Sequence, residues 1–549
     1  MQYDKIKKSM IEKLEKSFDE KEMLLTREVK TVESGSHHYG LTVRKIHLIY
    51  DSLCYACCLF ETGKAEKAVE IVKKALLYQD RDKTSRTYGV FQYCVEEPLD
   101  IIPSPDINQA DFCAKELIYI YLYYSKHFSD DDLMKIVGAV ECACEEIMVR
   151  DVYFDYTNIS IMSVYVLRMG GKITKRQDIY NFSKDKLKRL YEYNAKCGNF
   201  VEYNSPTYTG IAIEDVSRML RDFRDEECVE IAKKLNYMLW RTVAVHFHRK
   251  TKQWAGPHGR AYSDFTTRNL SFIKFATKGK IDLIADEDTE LDPSWNELEF
   301  YCPEEFYKYF TDDIEPTVEK CICNADTEKF YIQEAYSLVE KEYTLSSFSF
   351  SDMWNQRRVV IGYFGNNKCI KMKFLHDGFD YASAVLNSSQ NMGHIAGVVN
   401  FCTDGGDTHM NLDTGKRLFV NDLRLRLEII GCVPRVEVIG KNEFLIDCKE
   451  IKFYYKVPMC FFEGKEAYFE LITRKDSAAI DIVFYNGVKK EFLQNNKTYA
   501  AFSLDVDTCQ STEVTEKENT VIIRHGDMTL EAGIIPSPIR YLSQQRKTL

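Results

Sequence analysis

Near residue 335 the hydrophobic pattern of this 549-residue chain changes period, from that of a helix, about 3.6, to that of a strand, about 2. Upstream, apolar residues recur every three to four positions through 5–21, 42–62, 65–79, 111–127, 130–148, 183–197, 212–222 and 226–248. Ser129 followed by three aspartates reads as an N-cap with acids in the first turn. A helix beginning near Asn158 is expected to end at Gly170-Gly171. Downstream, short β-rich runs follow one another: 343–350, 358–364, 369–374, 417–429, 435–439, 443–446, 451–457, 467–474, 478–485, 498–504, 520–525 and 528–532. Turn signals separate them, among them Gly365-Asn366-Asn367 and Asn486-Gly487. Runs of helices followed by runs of strands mean separate α and β regions. The expected boundaries are 1–335 for the helical region and 336–549 for an antiparallel β-sheet or sandwich region. The acidic, irregular stretch 278–313 reads as the approach to their junction.

Net charge and cysteines narrow the function. Lys and Arg number 73 against 84 Asp and Glu, a net −11, with no basic block of the kind that binds nucleic acid. No apolar run reaches the ~18 residues that span a bilayer. The N-terminal stretch is charged and helical in pattern, without the apolar core of an export signal, so the expected location is cytoplasmic. The 18 cysteines then read as reduced thiols. Cys54 and Cys57 have CxxC spacing, but they lie in an apolar helical stretch without a second pair and read as core. There is no GxGxxG after a strand, no GxxxxGK[ST], no HExxH and no GxSxG.

Three segments carry more polar hardware than their local structure needs. DVYFDYTNIS places Asn158 at a helix start beside Tyr156 and Thr157. GNFVEYNSPTYTG holds Glu202, Asn204 and Tyr208 just before a helix, with Ser205-Pro206 as the entry turn. QWAGPHGRAYSDF surrounds His258 with Gly and Pro and follows Trp254; in an extended conformation Arg260 and Tyr262 share a face with His258. A His, an Arg and a Tyr on such a loop suit acid–base work. In the β half, FSDMWNQRR groups Trp354, Asn355, Gln356, Arg357 and Arg358. His394, Asp404, Asp407 and His409 are metal-binding residue types, but their Gly-rich setting reads as turn. No metal and no cofactor are expected. His246 and His248, at a helix end, read as structural, and the role of His37-His38 is left open.

The order of regions, with the GNFVEYNSPTYTG stretch, resembles the (α/α)-toroid polysaccharide lyases of the heparinase II/III and oligoalginate lyase type. In that family a loop containing Gly and Glu leads through Ser-Pro to a catalytic Tyr, which maps onto Tyr208. A His usually follows that Tyr; here it is Thr209. The resemblance implies an incomplete toroid and β-elimination on uronate glycans, with Asn158 and His258 in the site beside Arg260 and Tyr262. A lyase removes the C5 proton of a uronate, which is far too weakly acidic while the carboxylate is fully charged. Asn158 and Arg260 would bind that carboxylate, with Asn204 in reserve. His258 would be base and Tyr208 acid, with Tyr262 as the alternative proton carrier. Glu202, Trp254, Gln356, Arg357 and Arg358 would bind substrate, and Arg268 would add to a locally basic cleft.

The partner expected is an acidic, imported oligosaccharide, with neither nucleic acid nor membrane involved and room left for a homo-oligomer. Two other readings stay open. A glycoside hydrolase, or a uronate epimerase, could work on the same helical toroid. A hydrolase would need two carboxylates, from Glu202, Asp215 and Asp264. A non-catalytic carbohydrate-binding protein would need only the aromatic surface.

Overall fold

The structure is a computed structural model. It describes residues 2–29, 45–102, 105–266, 268–295, 297–312, 315–324, 332–380, 384–401, 418–492 and 497–534. His37, His38, Asp404, Asp407 and His409 lie outside the described residues.

The helical half comprises α1 (Gln2–Lys16), α2 (Ile49–Glu61), α3 (Ala65–Ala75), α4 (Gln109–Tyr124), α5 (Asp130–Arg150), α6 (Thr157–Ile173), α7 (Gln177–Ala195), α8 (Tyr208–Asp222), α9 (Glu226–His246) and α10 (Arg268–Ala276). Consecutive helices pair as hairpins: α2 with α3, α4 with α5, α6 with α7 and α8 with α9. The first members pack side by side as an inner row, and α5, α7 and α9 form the outer one. Pro293–Trp295 packs back on α2, and Trp295 Nε1 donates to Glu214 of α8 at 2.7 Å, so one segment ties the two ends of the inner row. This is an incomplete (α/α) toroid. Its inner helices are largely buried, and charged residues of α4 and α8 that are covered, such as Lys115, Asp215 and Arg218, pair with one another; in α6 only the last two residues escape burial.

Ser129 caps α5, its Oγ accepting from the Asp132 N–H at 3.2 Å. Cys54 and Cys57 are buried in α2. The Gly170-Gly171 pair does not end α6. The helix runs on to Ile173, and the glycines mark crowding instead. A Cβ on Gly170 would sit 2.4 Å from Cys144 Sγ of α5, and one on Gly171 2.6 Å from the Tyr180 nitrogen of α7.

The second half is stacked antiparallel sheets. Among the described residues the larger sheet runs in the order Tyr468–Thr473, Ser477–Phe492, Leu418–Ile430, Lys368–His376, Val360–Phe364, Thr344–Phe348, Gln333–Val339 and Thr317–Asn324. The second runs Arg435–Gly440, Glu443–Asp447, Lys452–Phe462, Tyr499–Val506, His394–Phe401, Ala384–Asn391 and Phe350–Asp352. Period-2 alternation gives the second sheet two apolar faces. Ile395, Val399 and Leu504 point into the core shared with the larger sheet. Ala396, Val398 and Ala501 meet a third small sheet, Thr512–Lys517, Thr520–His525 and Met528–Gly533. Asn486-Gly487 is not a turn: Ser477–Phe492 is one strand, and the register with Leu418–Ile430 slips there as a bulge.

Candidate active site

The site forms where the chain entering α6, the chain entering α8 and the loop after Gln253–Trp254 meet the strand-connecting segment 353–359. The loop is sewn to that segment by backbone hydrogen bonds. His258 N donates to Arg358 O at 3.2 Å, Arg358 N to His258 O at 3.0 Å, and Ala261 N to Gln356 O at 2.6 Å. On its other side Gly259 N donates to Tyr203 O at 2.8 Å. A Cβ at Gly259 would lie 2.9 Å from the Tyr203 nitrogen, so this approach needs glycine. Ser205 Oγ donates to Arg260 O at 2.7 Å and accepts from the Tyr208 N–H at 3.1 Å. The Ser-Pro turn thus sets both the start of α8 and the height of Arg260.

Arg260 is the hub. Its Nη1 donates to Glu202 Oε1 at 2.7 Å, its Nε to Gln356 Oε1 at 3.0 Å and its Nη2 to Tyr208 Oη at 3.1 Å. The other Glu202 oxygen accepts from the Asn158 backbone N–H at 2.8 Å and from Asn158 Nδ2 at 2.7 Å. The guanidinium lies 4.0 Å from the Tyr208 ring centre and about 5.5 Å from those of Tyr156 and Trp354. Tyr208 and Tyr262 share a hydrogen bond between their hydroxyls, and Tyr262 is half exposed. Burial pushes the Tyr208 hydroxyl well above the ordinary tyrosine range; Arg260 pulls the other way but does not offset it. Gln356 Nε2 is a buried amide donor with no hydrogen-bond partner among the described residues, although its Oε1 is fixed by Arg260. A cavity of about 10 Å³, room for one water molecule, lies behind Tyr208 between Thr157, Glu202, Asn204 and Thr242.

The structure therefore brings together Asn158, Glu202, Tyr208, Arg260, Tyr262 and Gln356. It puts the remaining expected residues to other uses. His258 does not face the tyrosine pair as a base. Its ring is 1% exposed, Nδ1 is 2.8 Å from Asn204 O, and Nε2 is 3.4 Å from the Tyr363 hydroxyl. Burial pushes its pKa down to about 3, so the imidazole stays neutral. Asn204 sits in the left-handed region at φ +46° and ties the two loops, Nδ2 donating to Ala255 O at 2.6 Å and to Pro257 O at 3.3 Å. Trp254 is a core side chain of the helical half, 1% exposed. Arg357 Nε donates to Asp352 at 2.7 Å, Arg358 Nε to Asp264 at 2.9 Å, and Arg268 pairs with Asp292. His246 is structural, between Thr242 O at 2.7 Å and the Tyr203 hydroxyl at 2.8 Å.

The rival carboxylates are also engaged. Asp215 is fully buried among Arg218, Lys115 and their neighbours in the inner helices. Burial pushes the Asp264 carboxyl up, but Lys371 and Arg358 outweigh it and hold it below the usual carboxylate range. Two aromatic neighbours, Tyr156 and Trp354, are missing from the site residues expected from sequence. Their signal was adjacency, Tyr156 two residues before Asn158 and Trp354 two before Gln356.

Fold and site together define a helical-toroid protein whose β-sheet region completes a polar cluster at the toroid's loops. Residues 7–294, more than half of the chain, match the family model described as "Domain of unknown function (DUF8769)", and the chain belongs to that family. No curated protein matches it. Among solved structures it is similar to heparinase III, at 10% identity over 88% of this chain and 81% of that one, with a TM-score of 0.37. It is similar to the Streptomyces coelicolor A3 chondroitin AC lyase in complex with chondroitin sulphate, at 7% identity over 89% and 80%, with a TM-score of 0.49. It is also similar to a chondroitinase AC lyase, at 9% identity over 84% and 80%, with a TM-score of 0.27.

Proposed function

We propose that the protein is a lyase that cleaves uronate-containing oligosaccharides by β-elimination, with Tyr208 and Tyr262 carrying the protons. The observation behind this reading is the hydroxyl pair itself: two tyrosines sharing a hydrogen bond, one half exposed and the other held by Arg260. Tyr208, as the phenolate that Arg260 stabilises, takes the C5 proton. The C–H electron pair becomes the C4–C5 double bond and the C4–O bond breaks. Tyr262 gives its proton to the leaving oxygen, and transfer from Tyr208 to Tyr262 along their hydrogen bond restores the start. The Gln356 amide nitrogen, buried beside Arg260 and without a partner among the described residues, supports a role as donor to the substrate carboxylate and the charge that develops on it. Asn158 and Glu202 hold Arg260 rather than touch sugar, and His258 holds the loop through Asn204. Tyr156 and Trp354 offer ring faces beside the cluster.

Hydrolysis is less well supported. Both Glu202 oxygens are engaged, and neither Asp215 nor Asp264 faces it with a free carboxylate. The test is a panel of uronate oligosaccharides followed by the ultraviolet absorbance of the 4,5-unsaturated product. A signal that disappears in Tyr262→Phe is the expected result. New reducing ends without that absorbance would replace elimination by hydrolysis.

A further inference from the structure

His394, Asp505 and His525 share no residue with the cluster around Arg260, and no step of the proposed reaction uses them. His394 opens its strand directly opposite Asp505 on Tyr499–Val506, and His525 closes the middle strand of the third sheet. Asp505 is fully buried, and among the described residues its charged partners are the two imidazoles alone. One of its oxygens, Oδ1, lies 2.8 Å from His394 Nδ1 and 2.7 Å from His525 Nε2. The three ligand atoms fall within 4.8 Å of one another.

We propose that these three side chains bind a divalent metal of the zinc class. Two imidazole nitrogens and a carboxylate oxygen are a donor set for zinc, with ligand bonds near ~2.0–2.2 Å in a tetrahedron. Three atoms grouped this closely need only to spread slightly around a central ion. The supporting shell is built as well. Thr512 Oγ1 lies 2.9 Å from His525 Nδ1, the nitrogen that faces away from the ligand position, and Ser503 Oγ lies 2.9 Å from that threonine. The Gln510 N–H donates to Asp505 Oδ2 at 3.1 Å, leaving Oδ1 to the ion. The His394 side chain is 22% exposed, which gives entry and a fourth position for water.

The site also has a structural purpose. The third sheet meets its neighbour through a small apolar core of chiefly Ala, Val and Ile. A metal bound by His394 and Asp505 on one sheet and His525 on the other would clamp the two, and its binding free energy would add to folding. Among the described residues, His394 thus takes its partners from distant strands.

The experiment is metal analysis of the full chain purified without chelator, then titration of the chelator-treated protein with Co²⁺. Near one zinc per chain, and the visible absorption of four-coordinate Co²⁺ at one equivalent, are expected. Asp505→Asn and the partly exposed His394→Ala should each lose the cobalt spectrum, and chelation should lower Tm. Zinc content unchanged in both variants would overturn the proposal. So would wild-type protein that leaves Co²⁺ octahedral, since the three groups would then be a hydrogen-bonded triad. The cobalt spectrum of the wild type decides the matter even if a variant fails to fold.

Discussion

At the scale of single residues, the site separates groups that can move a proton from groups that hold them. Tyr262→Phe removes the exposed hydroxyl and leaves the ring, so turnover should fall by about 10²–10⁴-fold with little change in Tm, measured by initial rates and thermal melts. Because burial raises the Tyr208 hydroxyl, its phenolate is scarce at neutral pH. The rate should therefore climb with pH, about tenfold per unit, and still be climbing at the ordinary tyrosine value of ~10. A profile that is flat across pH 7–9 would sink the assignment. His258 gives a slope of the same sign, in stability and at lower pH. Its folded pKa of about 3 lies below the ordinary 6.5, so the unfolded chain binds the extra proton between those values. Stability is full above about pH 6.5 and falls as the pH drops toward 3. Tm measured across that window should flatten in His258→Asn. The residue types of the site were legible in sequence because Glu, Asn and Tyr crowd one entry turn. The role of His258 was not, because spacing says which residues share a loop but not which of them the loop buries.

At the scale of elements, the helices were legible from period and caps, and the glycines were misleading. Gly-Gly signals a helix end when only local conformation is considered. In α6 it signals how closely α5 and α7 approach, a tertiary fact with no local trace. Asn486-Gly487 misleads in the same way, since a bulge in a long strand uses the residues of a turn. The consequence can be measured. By helix propensity alone, Gly170→Ala should stabilise by about 1 kcal/mol. The added Cβ would instead sit 2.4 Å from Cys144 Sγ and 3.2 Å from Val140 Cγ1. Overpacking of this kind costs about 1–3 kcal/mol, so the variant should unfold at lower denaturant with an unchanged m-value. A gain in stability would mean that α5 yields easily and that the close approach is not required.

For the whole molecule, the change of period separates the two regions but not the place where they cooperate. Arg260, on the helical side, is held from below by Glu202 and from the β side by Gln356. Sequence put Gln356 some hundred residues from Arg260, and only the antiparallel docking of the loop on 356–358 brings them together. This makes Gln356 the most direct test of a composite site. Gln356→Ala removes one hydrogen bond to a cation and the amide donor proposed for substrate. A hydrogen bond to a charged group contributes about 1.5–3 kcal/mol, equivalent to about 10–100-fold in kcat/KM. Gln356→Glu keeps the acceptor for Arg260 but replaces the N–H donor with negative charge, so it should bind an anionic substrate worse than the alanine variant while melting at the wild-type temperature. If the glutamate variant keeps its activity while the alanine variant loses it, Gln356 serves only to hold Arg260. If neither loses activity, the helical half works without the β-sheet region, and the contact between them is architectural.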